Sequence, residues 1–126
     1  MPENHYIIRA NAQGSVFISE DVMATIVAEA VREVEGVGGF ATSLGSEIAE
    51  RLGKKPGHRG VKIALEENEV IVEAFVLVQY GTVISEVAMA VQEAVASSVE
   101  AITGVRVKAV NVTVCGIAFT KEKAKN

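Results

Sequence analysis

The stretch that most constrains the fold runs from Gly81 to Gly116, where a long amphipathic segment leads directly into a valine-rich one. Apolar residues recur at helical spacing through the first part, and Thr103-Gly104 ends that pattern abruptly. Alternating valines begin immediately afterwards. The pattern therefore predicts a helix over 83–103 followed at once by a strand over 105–117.

The predicted strand changes its alternation partway along. Val105 and Val107 are apolar at odd positions, whereas Val110, Val112 and Val114 are apolar at even ones. One extra residue in a strand reverses which side chains face the core. We therefore predict a β-bulge near Ala109.

The remaining regular elements precede this unit. Residues 61–66 alternate apolar and polar side chains, a polar turn follows, and residues 69–80 return as a long strand with apolar residues on both faces. Earlier, Ser19 is a good N-cap for an amphipathic helix over 20–35. The pair Gly38-Gly39 after that helix predicts a flexible connection.

These elements predict an α+β fold. We expect a small mixed or antiparallel sheet, made of the 61–66/69–80 hairpin plus strand 105–117 and covered by the two main helices, 20–35 and 83–103. Residues 14–119 would form one domain, with 1–13 as an N-terminal lead-in and 120–126 as a charged tail. A further short helix is compatible with the apolar spacing over 43–52.

Composition narrows the class of protein. Hydrophobic residues make up 49% of the chain and charged residues 22%, which is typical of a globular domain. No apolar run reaches the length of a transmembrane helix, and the N-terminus lacks the pattern of a signal peptide. The single cysteine, Cys115, fits a reducing compartment, and we expect it to be an inert, at least half-packed residue.

The sequence is poor in groups that carry chemistry. It has one aspartate, Asp21, and two histidines, His5 and His58, and it lacks CxxC, HxxxH and HExxH motifs. A hydrolytic site needs a nucleophile, a base and an orienting group within hydrogen-bond reach. We therefore predict no catalytic residues, no metal site and no cofactor.

A basic segment over 51–62 is the best candidate for a binding site. Its cationic and titratable side chains are Arg51, Lys54, Lys55, His58, Arg59 and Lys62. They are compatible with a solvated loop, or with a surface for an anionic partner such as a phosphate, a lipid headgroup or an acidic protein. A net charge of −4 and the absence of nearby aromatic residues make nucleic acid an unfavoured partner.

Several stretches together resemble the alkaline shock protein family of bacterial envelope-stress proteins, also called the general stress (Gls) family. The resemblance covers about residues 14–117 and depends on the order and spacing of the stretches. They are GSVFISEDV (14–22), VEGV (34–37), GVK (60–62), YG (80–81), SVEAITGV (98–105) and VKAVNVTV (107–114). One departure is Ile84-Ser85, where many members open the helix with proline; we expect Ser85 to cap instead.

The resemblance implies a non-enzymatic cytoplasmic protein of mostly Gram-positive bacteria that acts in cell-envelope homeostasis or the envelope stress response. Some members self-assemble and associate with the membrane through a membrane-anchored partner, so a scaffold or adaptor that forms homo-oligomers is the expected function, placed at the inner face of the membrane through that partner. The alternative is a regulatory module that binds an anionic ligand or partner, such as RNA, a lipid headgroup or a fatty-acid-synthesis protein, through residues 51–62.

Overall fold

The computed structural model describes residues 5–41 and 60–119. These residues form two helices, six strands and their connections. In chain order the elements are β1 (His5–Asn11), β2 (Gly14–Ser19), α1 (Glu20–Arg32), β3 (Val37–Phe40), β4 (Val61–Glu66), β5 (Glu69–Gln79), α2 (Ile84–Thr103) and β6 (Arg106–Ala118). The α+β class is confirmed, whereas the short helix that the sequence allows over 43–52 lies outside the described residues.

Helix α1 begins where its sequence predicts. Ser19 has an extended backbone, and its side chain accepts a hydrogen bond of 3.1 Å from the backbone N–H of Val22. The helix ends at Arg32, three residues before the predicted end at 35. The chain turns there toward Gly36, whose φ of 100° favours glycine.

Strand β5 is the centre of a mixed sheet. Along one edge it pairs in parallel with β6, and along the other it pairs antiparallel with β4 and then with β3. Its core face is fully buried and consists of Val70, Val72, Ala74, Val76 and Val78. Both helices pack on that side, and α2 is the crossover that joins the parallel strands β5 and β6. On the opposite face Ile71, Phe75 and Leu77 remain partly exposed.

Strand β6 contains the predicted bulge and a second one. Its register against β5 shifts between Val107 and Ala109, which confirms the bulge that the change of alternation predicted. Another shift lies between Val114 and Gly116. The sequence carries a signal for it, because the next aliphatic residue after Val114 is Ile117, at an odd position.

The flexible connection predicted at Gly38-Gly39 is wrong, because Val37–Phe40 form a strand on the end of β5. Glycine is needed there for space: a Cβ on Gly38 would lie 2.6 Å from the Cβ of Ala118. Two glycines in four residues have low strand propensity, so tertiary packing overrides the local preference.

The N-cap expected from Ser85 is also wrong. Helix α2 begins one residue before Ser85, and the N-cap is Val83, which makes no side-chain hydrogen bond. Its other end is as predicted, with Gly104 in the left-handed conformation and its N–H bonded to the carbonyl of Glu100.

Strands β1 and β2 form an antiparallel two-stranded sheet of their own, separate from the main sheet. Val16 and Phe17 of β2 are exposed, whereas Ile18, next to α1, packs against the core. We call this hairpin, residues 5–19, the arm.

Candidate interaction surface

An exposed apolar cluster lies at the carboxyl end of the β5–α2–β6 unit. Because β5 and β6 are parallel neighbours, the residues that follow them meet there, and the N–H of Tyr80 donates to the carbonyl of Ala118 at 2.8 Å. The rings of Tyr80 and Phe119 stack with centroids 5.2 Å apart, although 71% and 59% of these residues is exposed. We define the terminal patch as the stacked pair Tyr80 and Phe119 together with the exposed apolar residues close to them in sequence, Val83, Ile84 and Ile117.

Such a patch is suited to protein contact. Aromatic side chains are enriched at the centres of protein interfaces, and exposed groups of large apolar residues mark interaction surfaces. The stacking of the two rings holds them in place before a partner arrives, which lowers the entropy lost on binding.

The outer edge of β6 is covered by α2 over its first part only. The carboxylate of Glu100 accepts a hydrogen bond of 2.9 Å from the N–H of Val107, and the amide of Gln92 donates one of 3.0 Å to the carbonyl of Val110. These backbone groups point away from β5, so α2 side chains satisfy this part of the edge.

Further along β6 the edge has no such cover. The parallel register places the backbone N–H and C=O groups of Val112, Val114 and Ile117 on the same outer side as those of Val110. Within the described residues, 5–41 and 60–119, no group bonds to them. We call the outer backbone of these three residues the open edge.

The surface beside the open edge is acidic. Helix α2 carries Glu86, Glu93 and Glu100 and no basic residue. A shallow depression on the helix is lined by Glu86, Met89, Ala90, Gln92 and Glu93. Met89 is 63% exposed in it, and Gln92 connects it to β6 through the carbonyl of Val110. A partner at this edge would meet an apolar side chain flanked by negative charge.

The opposite end of β6 carries ion pairs. The ammonium of Lys108 lies 2.6 Å from a carboxylate oxygen of Glu66, and the guanidinium of Arg106 lies 3.5 Å from Glu69. The hydrogen bond with Glu66, together with its negative charge, raises the pKa of Lys108 above the ordinary value of 10.5. All four side chains are at least partly exposed, so salt and solvent weaken these pairs.

Of the six basic-segment residues, the structure describes only Lys62. It lies on β4 opposite Glu73, with its ammonium 5.7 Å from the centre of the Phe75 ring. The other five, Arg51, Lys54, Lys55, His58 and Arg59, lie outside the described residues. The binding surface predicted over 51–62 therefore stays a prediction.

Cys115 is exposed, so the expectation of a packed thiol is wrong. It is the extra residue of the second bulge in β6, and a bulged residue has no opposite partner to pack against. Among residues 5–41 and 60–119, no three His, Cys, Asp or Glu side chains come together in a way that could hold a metal ion. Neither described helix combines the length and hydropathy needed to cross a membrane.

Sequence reasoning missed the terminal patch. The available signal was two of the chain's six aromatic residues, Tyr80 and Phe119, standing at or just beyond the ends of the predicted strands 69–80 and 105–117. Bringing Tyr80 and Phe119 together requires knowing that β5 and β6 are parallel neighbours, which an alternation pattern does not specify.

Comparisons with known proteins agree on a family. Residues 9–119 match the model of the alkaline shock protein 23 family, described as having a cell envelope-related function. The uncharacterized protein YloU of Bacillus subtilis (strain 168) is 33% identical over 109 residues, covering 85% of this chain and 91% of its own length. YqhY of the same organism is 29% identical over 106 residues, covering 84% and 78%.

The solved structures that match this chain are less similar to it in sequence than these relatives. The zinc form of a MamM CTD variant has a TM-score of 0.48 and 14% identity, covering 77% of this chain and 85% of that one.

The match of residues 9–119 to the family model, together with the 33% identity to YloU, confirms the resemblance drawn from the sequence. This chain belongs to the alkaline shock protein 23 family, whose function is related to the cell envelope.

Proposed function

We propose that this protein is a non-enzymatic scaffold or adaptor in cell-envelope homeostasis, acting by self-association and by contacts with other proteins. The terminal patch is the observation that carries the proposal. Two stacked aromatic rings that stay more than half exposed expose more apolar surface than the fold of one chain requires. Burial of that surface against a protein partner would contribute to association.

The patch also fits the expected energetics of such contacts. A few aromatic residues at the centre of an interface carry most of its binding free energy, and truncating one typically costs about 2 kcal/mol or more. A loss of about 2 kcal/mol corresponds to roughly 30-fold weaker association. We therefore expect the aromatic pair, rather than scattered exposed aliphatic residues, to determine affinity.

The envelope relation suggests where the protein acts. We propose that it works at the cytoplasmic face of the membrane and reaches it through a membrane-anchored protein. The family's envelope-related function supports this location, and the terminal patch supports a protein partner over a small ligand.

Crosslinked pull-down from the native host tests this proposal. The bait is the full chain, compared with a Tyr80→Ser, Phe119→Ser variant and with Ile102→Ser as a control. Ile102 is similarly exposed but lies near the other end of α2, away from the patch. We expect the wild type and the control to recover further copies of the chain and a membrane protein, both lost with the double variant. Equal recovery by all three proteins, or none by the wild type, would refute the role of the patch.

A further inference from the structure

We infer that the open edge of β6 receives strand β1 of a second copy of the chain. Self-association would then extend the main sheet of one molecule by the arm of the next. This inference rests on the proposed function. Ile117 belongs to both the open edge and the terminal patch, so a strand added along this edge would lie beside the patch and help to bury it.

Within the described residues, the open edge presents unpaired backbone groups on both sides of the bulge at Cys115. Val112, Val114 and Ile117 point their backbone donors and acceptors outward, in the direction in which a further strand would lie. An unpaired edge of this kind is a template for strand addition. The part of β6 that α2 covers, at Val107 and Val110, has its outward groups already satisfied. A new strand is therefore confined to the second half of β6.

Strand β1 is a described strand that would gain a second neighbour in this way. It pairs with β2 alone, so its other edge is unpaired within the described residues. A two-stranded hairpin is marginally stable in water unless another layer or strand supports it. Addition of β1 to the open edge would place the arm in a continuous sheet with the partner's β6 and β5.

Charge favours β1 over β2 and β3, which also lack acidic side chains but carry no cation. Residues 5–11, HYIIRAN, contain no acidic side chain and include Arg9, which is exposed. The α2 surface beside the open edge carries Glu86 and Glu93 with Met89 between them. A strand with apolar residues and one cation complements a surface with an apolar centre and negative flanks.

The same charges disfavour the symmetric alternative, in which two β6 edges pair with each other. That arrangement would bring two α2 helices together, each with three glutamates and no basic residue. Like charges across an interface are repulsive. Pairing of β1 with β6 joins two different surfaces, so it either closes reciprocally into a two-fold dimer or continues into a larger ring or a filament.

Disulfide trapping tests the inference, because a disulfide requires Cα atoms about 4.4–6.8 Å apart, as between adjacent strands. Cys115 lies on β6, between Val114 and Ile117, and supplies one thiol. The second chain carries Cys115→Ser and one new cysteine in β1, at Ile8 or Ala10 in separate variants. Glu35→Cys in the same background is the control, exposed and outside the arm. The mass of the assembly in solution is measured first. The two proteins are then mixed and mildly oxidised.

We expect a mixed disulfide with at least one β1 position and none with Glu35→Cys. Adding Arg9→Glu should reduce its yield several-fold. If the chain assembles but no mixed disulfide forms, or if the wild type alone crosslinks through two Cys115 thiols, the inference is overturned while the proposed function stands. A chain that is monomeric at every concentration would overturn both.

Discussion

Replacing Gly38 by alanine should destabilise the protein through a single steric contact. The new Cβ would lie 2.6 Å from the Cβ of Ala118, about 1 Å closer than the optimal separation of two carbon atoms. Its other neighbours, the Cγ of Gln79 and the carbonyl oxygen of Leu77, lie at ordinary distances of 3.6 Å. The clash therefore involves one methyl group at the end of β6.

The size of the effect follows from two opposing terms. Overpacking of this kind typically costs about 1–3 kcal/mol. Gly38 has no positive φ, so alanine also restricts the unfolded chain and returns about 0.4–1 kcal/mol. We expect a net loss of about 1–2 kcal/mol, or roughly 3–8 °C in Tm for a chain of this size.

A double-mutant cycle with Ala118→Gly isolates the contact. Ala118→Gly alone should cost about 0.5–1 kcal/mol, as for glycine inside a strand. In that background Gly38→Ala should be neutral or slightly stabilising, which gives a favourable coupling of about 1–3 kcal/mol. Urea unfolding of the four proteins measures it. A coupling near zero would mean that β3 does not approach the end of β6 as described.

Three further outcomes are expected. Ser19→Ala removes a helix cap and should cost about 1 kcal/mol in urea unfolding, whereas Val83→Ser supplies a missing one and should stabilise by up to about 1 kcal/mol. Because the pKa of Lys108 is raised in the folded state, its contact with Glu66 should stabilise below about pH 10.5 and lose that effect as pH rises through the raised pKa. The urea midpoints of wild type and Lys108→Gln should therefore differ near neutral pH and converge at high pH; a constant difference would contradict this. If the basic segment binds an anionic partner, charge reversal should weaken a salt-sensitive interaction with anionic vesicles, and unchanged binding would dismiss that alternative. The positions reversed to glutamate are Lys54, Lys55 and Arg59.

The elements with strong periodicity could be predicted from the sequence. Helix α2 and strands β4 and β5 lie within a residue or two of their predicted bounds, because alternation and helical spacing report directly which side chains are buried. The reversal of alternation near Ala109 located the first bulge for the same reason.

Features that depend on which elements are neighbours could not be predicted. Strand β3 forms because β5 offers an edge for it to pair with. One of its two glycines, Gly38, is required because Ala118 leaves no room for a side chain there. The parallel pairing of β5 with β6 creates the terminal patch and the open edge. The alternation of apolar and polar residues shows which face of each strand is buried, but not which strand lies beside it. Neither surface could therefore be predicted from the sequence.

Sedimentation velocity over a wide range of concentration tests the central proposal most directly, by comparing wild type with the Tyr80→Ser, Phe119→Ser variant. The proposal predicts that the wild type forms reversible assemblies larger than one chain, and that the variant, folded by circular dichroism, dissociates at roughly 30-fold or more higher concentration. A wild type that sediments as a monomer throughout, or a variant that assembles as strongly as the wild type, would contradict it.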